Sequence, residues 1–97
     1  MYCSTHQHNH FPCTGEWQEQ GVGNNIINIP LPKGSNATTF REAYDKVIIP
    51  RIIQFRPGLI IISAGFDAHI RDPLGDLNLE TEDYKYITNH ILQLAHH

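Results

Sequence analysis

The chain has 97 residues, of which 40% are hydrophobic and 18% charged, with a formal net charge of −3 and an isoelectric point near 6.1. These values predict one small globular domain. We expect no nucleic-acid partner, because the composition gives no basic surface. We expect no membrane partner, because no run approaches the roughly 20 apolar residues of a membrane span. The two cysteines are too few for a disulfide framework, and the first residues do not resemble a signal peptide, so we expect a cytoplasmic protein.

Two short strands are predicted in the first third of the chain. MYCST is compatible with a strand, and NIINIPLP predicts a second strand that ends at Pro30 and Pro32. His6, His8 and His10 alternate after the first strand and would share a face if that segment were extended. Because HQHNHFP has no strand-forming residues to hold such a geometry, we favour a flexible loop over a separate zinc site.

A helix is predicted next, with Thr39 as its N-cap and Glu42 as the partner in a capping box. Pro50 interrupts the helical pattern, so we expect a kink near residues 46–50, and RPG ends the helix at residues 56–58. The apolar face of this helix comprises Phe40, Tyr44, Val47, Ile48, Ile52 and Phe55.

The strongest strand candidate is LIIIS, residues 59–63, because consecutive apolar residues are typical of a parallel strand covered on both faces. A loop follows over residues 64–79, and a second helix begins near Thr81, with Glu82 and Asp83 at its positive end. The apolar face of that helix comprises Tyr84, Ile87, Ile91, Leu92 and Ala95.

The order β–loop–β–α–β–loop–α predicts an α/β fold with a parallel sheet flanked by helices. These few elements cannot cover such a sheet on both faces and along both edges. We therefore expect a piece of a larger domain, or a chain that completes itself as a homo-oligomer or with a complementing chain.

SAGFDAHIRDPLG places charged residues directly after the apolar strand. Ligands of open α/β sheets bind beyond the carboxyl ends of the strands, so Asp67 is well placed to bind a metal ion. Asp67 and His69 have the spacing of two side chains on one side of an extended segment, and carboxylate with imidazole suits Zn²⁺. The alternative is that Asp67 caps a loop or pairs with Arg71.

Four segments, STHQ, FPCTG, GVGNNIINIPLPKG and IIPRIIQFRPGLIIISAGFDAHIRDPLGDLNLETEDY, occur in an order and at a spacing that resemble one family. That family is the zinc-dependent histone deacetylases, in particular the class II and bacterial acetylpolyamine amidohydrolase or acetoin-utilisation-like branch. The resemblance covers residues 1–97 as a partial domain, a C-terminal fragment of the catalytic domain. It implies an arginase/deacetylase-type fold and hydrolysis of an acetyl-lysine-like or acetylpolyamine amide by a zinc-activated water.

The resemblance also implies roles for metal-binding residues. By position, Asp67 matches the family's zinc-binding aspartate, whereas His69 matches no ligand. Ser4 and the carbonyl group of Thr5 match part of a site for a monovalent cation, potassium or sodium.

Four further positions match the loops around the family's substrate tunnel. Phe11 matches an aromatic wall of the acyl-lysine tunnel, and Leu74 matches an apolar residue near its mouth. Asp72 matches an aspartate that structures its loop through backbone hydrogen bonds. Cys13 stands where the family usually has glycine, and a positive φ there would strain the turn.

The family's other two zinc ligands, its tandem histidine pair and its oxyanion-stabilising tyrosine have no match in the sequence. A catalytic zinc site uses three protein ligands and an open position, so we expect the 97-residue chain to be inactive alone. The alternative is a non-catalytic module that keeps the deacetylase scaffold and associates with itself or with a partner.

Overall fold

The structure, a computed structural model, describes residues 1–96 and contains a two-stranded parallel sheet. Strand β1 spans Tyr2–Gln7 and strand β2 spans Ile26–Leu31. Their register pairs Ser4 with Asn28, so these two side chains lie on the same face of the sheet. Both predicted strands are confirmed, and β1 extends two residues further than MYCST indicates.

Helix α1 spans Ala37–Ala43 and begins earlier than predicted. Its N-cap is Asn36, whose side-chain oxygen accepts a hydrogen bond from the backbone N–H of Thr38 at 3.2 Å. The prediction of Thr39 as the N-cap is therefore wrong. Asn36 is an equally good capping residue, and it stands at the end of the preceding turn, where the backbone is still extended.

The predicted interruption of this helix takes the form of a π-helical turn at Tyr44–Ile48. Helix α2, Ile49–Phe55, continues from it with Pro50 in its first turn. A proline has no N–H to donate to the carbonyl group one turn earlier, and a π-turn in that position accommodates the missing bond. The helix ends where RPG predicts, at Arg56, which adopts a left-handed conformation with φ of 56°.

Helix α3 spans Thr81–Ala95, and its predicted start is confirmed. Glu80 and Asp83 form a reciprocal capping box at its N-terminus. Asp83 is also buried, at 1% exposed, and accepts a hydrogen bond at 3.0 Å from the Arg41 side chain. The same carboxylate therefore caps α3 and ties it to α1.

The hydrophobic core lies between the sheet and helices α1 and α3. It consists of Leu31, Phe40, Ala43, Leu77, Leu79 and Ile87. The outer ends of the predicted apolar faces do not reach it, because Phe55 and Leu92 are 53% and 52% exposed and Ala95 is also exposed.

The third predicted strand does not form. Residues 59–63 pair with no other strand in the part of the chain that the structure describes. Leu59, Ile61 and Ile62 are 77%, 83% and 52% exposed, so burial on both faces is also wrong for these residues. A strand needs a neighbour for its backbone hydrogen bonds and a layer for its side chains, and residues 1–96 supply neither here. We call residues 59–62 the aliphatic segment.

Candidate functional site

The loop that follows the aliphatic segment, residues 66–76, carries the candidate metal ligand, and we call it the Asp67 loop. Two backbone turns shape it, with hydrogen bonds from His69 N to Phe66 O at 3.1 Å and from Asp72 N to His69 O at 2.9 Å. Asp67 lies in the first turn and is exposed. The ion pairs of residues 1–96 do not include one between Asp67 and Arg71, so the ion-pair form of the alternative is not realised.

A parallel bridge between His69 and Leu79 anchors the base of this loop. Ile70 N donates to Leu79 O at 2.7 Å, and Leu79 N donates to Ala68 O at 3.2 Å. Leu79 is 1% exposed and belongs to the core. The turn that presents Asp67 to solvent is therefore held by backbone bonds to a buried residue.

Two glycines lie close to Asp67. A Cβ atom at Gly75 would lie 2.7 Å from the carbonyl oxygen of Asp67, and one at Gly65 would lie 3.3 Å from its Oδ1 atom. Real Cβ atoms do not approach a backbone oxygen as closely as 2.7 Å, so Gly75 permits the two arms of the loop to pass each other.

Tyr84 of helix α3 lies beneath the Asp67 loop. Its ring packs on Phe66 and His69 with centroid distances of 5.1 and 6.5 Å. Burial raises the pKa of the Tyr84 phenol, and the negative charges of Asp67, Asp83 and Asp72 raise it further. Two of these three carboxylates, those of Asp67 and Asp72, belong to the Asp67 loop itself.

Asp72 has the structural role predicted for it. Its Oδ1 atom accepts a hydrogen bond from the backbone N–H of Leu74 at 2.9 Å, which closes the turn around Pro73. His69 is also engaged in the protein, since its Nδ1 atom accepts from Arg71 N at 3.2 Å and its Nε2 atom lies 3.3 Å from Thr81 Oγ1. Asp67 and His69 are therefore not combined as one ligand pair.

Ser4 and Thr5 lie in β1, on opposite faces of the sheet. The Ser4 hydroxyl is 3.0 Å from His6 Nδ1. Thr5 faces Tyr44, whose pKa is raised by burial, while a hydrogen bond from the Thr5 side chain partly opposes that shift. The Thr5 side chain is thus engaged with the helix layer, whereas the family resemblance concerns its carbonyl group.

The two candidate substrate-binding residues project from loops. Phe11 is 89% exposed and Leu74 is 82% exposed, and neither belongs to the core cluster. Phe11 lies in the loop between β1 and β2, residues 8–25, which we call the interstrand loop. Large apolar side chains this exposed are available to a ligand or to another protein segment.

Cys13 lies in the same loop with φ of 63°, in the left-handed region that favours glycine. The condition for strain at this position is therefore met. The histidines of this region do not share a face, because β1 ends at Gln7 and His8 and Asn9 form a turn. No group of three His, Cys, Asp or Glu side chains within residues 1–96 is arranged to hold a metal ion.

The sequence profile of the histone deacetylase domain matches residues 1–97. The chain belongs to the histone deacetylase family. It is 38% identical over 95 residues to an uncharacterised protein of Synechocystis sp., with 98% of this chain and 31% of that protein covered. It is 37% identical over 98 residues to histone deacetylase 14, chloroplastic, of Arabidopsis thaliana, covering 98% of this chain and 23% of the relative.

Solved structures agree with this family assignment. The chain matches the crystal structure of the HDA15 HD domain with a TM-score of 0.91 and 33% identity, over 97% of this chain and 29% of that one. It matches acetylpolyamine aminohydrolase from Burkholderia pseudomallei with a TM-score of 0.88 and 28% identity, over 98% of this chain and 29% of that one. The predicted α/β fold of the deacetylase type is therefore confirmed.

This deacetylase-family chain spans between 23% and 31% of the length of the two relatives named above. The Arabidopsis relative is chloroplastic by name, and a cytoplasmic location for this chain stays a prediction. No helix in residues 1–96 is long and apolar enough to cross a membrane.

Sequence reasoning missed the contacts of three polar residues that organise the site region, namely His6 with Gly15, Asn28 with the interstrand loop and Asp83 with Arg41. Asn28 is 6% exposed, and its side chain donates to the carbonyl groups of Glu16 and Glu19 at 3.3 and 3.0 Å. A polar residue between the isoleucines of NIINIP signals a face that is not part of the core. The sequence shows this polar position between apolar ones, but it does not show that the carbonyl groups of Glu16 and Glu19 are the partners of Asn28.

Proposed function

We propose that this chain supplies part of the active site of a zinc-dependent deacetylase, with Asp67 as one of the metal ligands. The observation that supports this most is the placement of Asp67. Its carboxylate is exposed directly after the aliphatic segment, on a turn whose base is anchored to buried Leu79. Ligand sites of open α/β sheets lie at this end of the strands.

Residues 1–96 do not form a zinc site by themselves. A catalytic zinc ion is usually held by three protein ligands, and the described residues bring no three candidate side chains together. We expect the 97-residue chain alone to bind zinc weakly and to show no deacetylase turnover.

The remaining candidate residues complete this proposal. Ser4 and the Thr5 carbonyl group would contribute oxygen ligands to a potassium or sodium ion. Phe11 and Leu74 would contact the aliphatic part of an acetylated lysine or polyamine. Their exposure supports this role, because each apolar side chain is left available by the rest of the chain.

A chimera tests the assignment of Asp67. Residues 1–97 would replace the matching segment of the Burkholderia pseudomallei acetylpolyamine aminohydrolase, on which 98% of this chain superposes. We expect the chimera to retain bound zinc and to hydrolyse an acetyl-lysine or acetylpolyamine reporter. Asp67→Asn should lose both zinc, measured by atomic absorption, and turnover.

Asp76→Asn is the matched control, because Asp76 is an exposed aspartate of the same loop whose side chain pairs with Lys33 at 3.7 Å. It should keep zinc and activity. Normal zinc content in the Asp67→Asn chimera would show that another residue is the ligand.

The aliphatic segment favours a second candidate function, self-association of a non-catalytic module. Leu59 and Ile61 are more than three-quarters exposed, and unpaired aliphatic strands tend to associate. Light scattering of the 97-residue chain should then show a mass that rises with concentration. Ile61→Lys should abolish that rise, whereas Val22→Lys, at a residue that is 90% exposed elsewhere, should not. A monomer at every concentration would exclude this function.

A further inference from the structure

The two faces of the β1–β2 sheet have opposite character. Ile27 and Leu31 lie on the face toward the helices and are 5% and 2% exposed. Ser4, His6 and Asn28 lie on the other face, since residues two apart share a face and Ser4 pairs with Asn28. The interstrand loop folds over this polar face, so its contacts with the sheet are hydrogen bonds.

The His6 ring bridges the strand and the loop. Its Nε2 atom is 2.6 Å from the carbonyl oxygen of Gly15, and its Nδ1 atom is 3.0 Å from Ser4 Oγ. A carbonyl oxygen only accepts, so Nε2 must carry the proton of this bond. In the neutral ring, Nδ1 then accepts from the Ser4 hydroxyl.

Gly15 makes this contact possible. Its φ is 85°, and a Cβ atom in its place would lie 2.5 Å from His6 Nε2. Any side chain at this position would therefore displace the ring. Asn28 provides a second attachment a few residues further along, at the carbonyl groups of Glu16 and Glu19.

We propose that His6 is a positioning residue, which fixes the loop that carries Phe11 to strand β1 through the Nε2–H bond to Gly15. Phe11 lies four residues before Gly15, so the attachment limits where its ring can lie. The functional meaning of this role rests on the proposed function, in which Phe11 contacts the acyl chain of the substrate. The hydrogen bond between His6 and Gly15 lies within this chain and does not depend on the proposed function.

Three variants of the 97-residue chain test the proposal by amide hydrogen exchange. Loop order is reported by the amides of Cys13 and Glu19, which donate to His10 O and Glu16 O. His6→Phe keeps the ring volume and removes the donor, so these amides should exchange about two- to tenfold faster, the range that one net hydrogen bond supplies. His6→Gln places an amide N–H near the Nε2 position and should restore the wild-type rates.

His10→Gln is the matched control, since His10 is exposed and its side chain lies outside the bridge. It should leave the loop rates unchanged. The His8 backbone amide, which donates to Leu31 O at 2.7 Å, reports on the sheet in the other two variants and should keep its rate. Equal loop exchange in His6→Phe and His6→Gln would overturn the proposal, because the presence of the N–H donor would then make no difference to the order of the loop.

A measurement on the unmodified chain settles the outcome even if His6→Phe fails to fold. The ¹⁵N spectrum of the His6 imidazole should show the neutral tautomer with the proton on Nε2, and a proton on Nδ1 alone would overturn the proposal. Neither experiment needs zinc or a substrate. A failure here would leave the role of Asp67 intact, and an inactive chimera would leave the bridge intact.

Discussion

Strand β2 and the aliphatic segment have similar sequences, yet the first is buried and the second is exposed. Ile27 and Leu31 of β2 are 5% and 2% exposed, whereas Leu59 and Ile61 are 77% and 83% exposed. The difference in exposure comes from the elements of the chain that pack against each segment. Strand β2 has β1 on one edge and two helices on one face, while within residues 1–96 the aliphatic segment pairs with no strand and contributes no residue to the core cluster. Apolar composition thus marks a tendency to be buried, and neighbouring elements decide whether burial occurs.

The largest difference in stability is expected between a truncation in strand β2 and one in the aliphatic segment. Leu31→Ala should lower the free energy of unfolding by about 2–5 kcal/mol, because it removes buried methyl groups and leaves a cavity. Ile61→Ala should change it by less than about 0.5 kcal/mol, since that side chain is already exposed. Urea denaturation of both variants measures the difference. Equal losses would show that the aliphatic segment is packed in solution.

A smaller effect is expected at Asp83, whose buried carboxylate joins helix α3 to Arg41 of α1. Asp83→Ala should lower the free energy of unfolding by about 2–3 kcal/mol, because it removes the cap of α3 and leaves Arg41 without its carboxylate. Glu82→Ala, at an exposed position in the same turn, should cost only a few tenths of a kcal/mol. Thermal unfolding of the two variants provides the measurement, and similar melting temperatures would contradict the assigned role of Asp83.

The Asp67 loop contains one close contact even though it lies in the exposed region. Gly75→Ala should destabilise the chain by about 1–2 kcal/mol, because the new methyl group would meet the Asp67 carbonyl oxygen. Gly58→Ala is the control, since a Cβ atom there has nothing within 4 Å. Denaturation curves should separate the two variants. A neutral Gly75→Ala would mean that the loop moves freely and does not hold Asp67 in place.

The smallest effect is expected in the interstrand loop. Cys13→Gly should raise the free energy of unfolding by about 0.5–1 kcal/mol, because φ of 63° strains any residue with a Cβ atom. Asn24→Gly, at φ of 57°, should gain less, since asparagine tolerates this conformation better than cysteine does. A loss of stability in Cys13→Gly would show that the thiol makes a contact that outweighs the strain.

Much of the local structure was predictable from the sequence. Strand-compatible residues and the prolines after NIINI located the two strands, the acidic residues that follow Thr81 marked the start of helix α3, and RPG located the end of α2. The family resemblance implied that Asp72 structures its loop through backbone hydrogen bonds, and such a bond, from Leu74 N, is present. The N-cap of α1 was misplaced because Asn36 and Thr39 both satisfy the local rule, and only the path of the preceding turn distinguishes them.

The sequence by itself determined the family, two of the three predicted strands, the approximate positions of the helices, and the position of Asp67 after an aliphatic run, because these depend on residue type and short-range spacing. Only the tertiary structure decided that this run stays unpaired, that His6 bridges β1 and Gly15, and that Asp83 joins α3 to α1. Each of these depends on which segments meet in space. A hydrogen bond or a buried surface has two partners, and the pattern of one segment specifies only one of them.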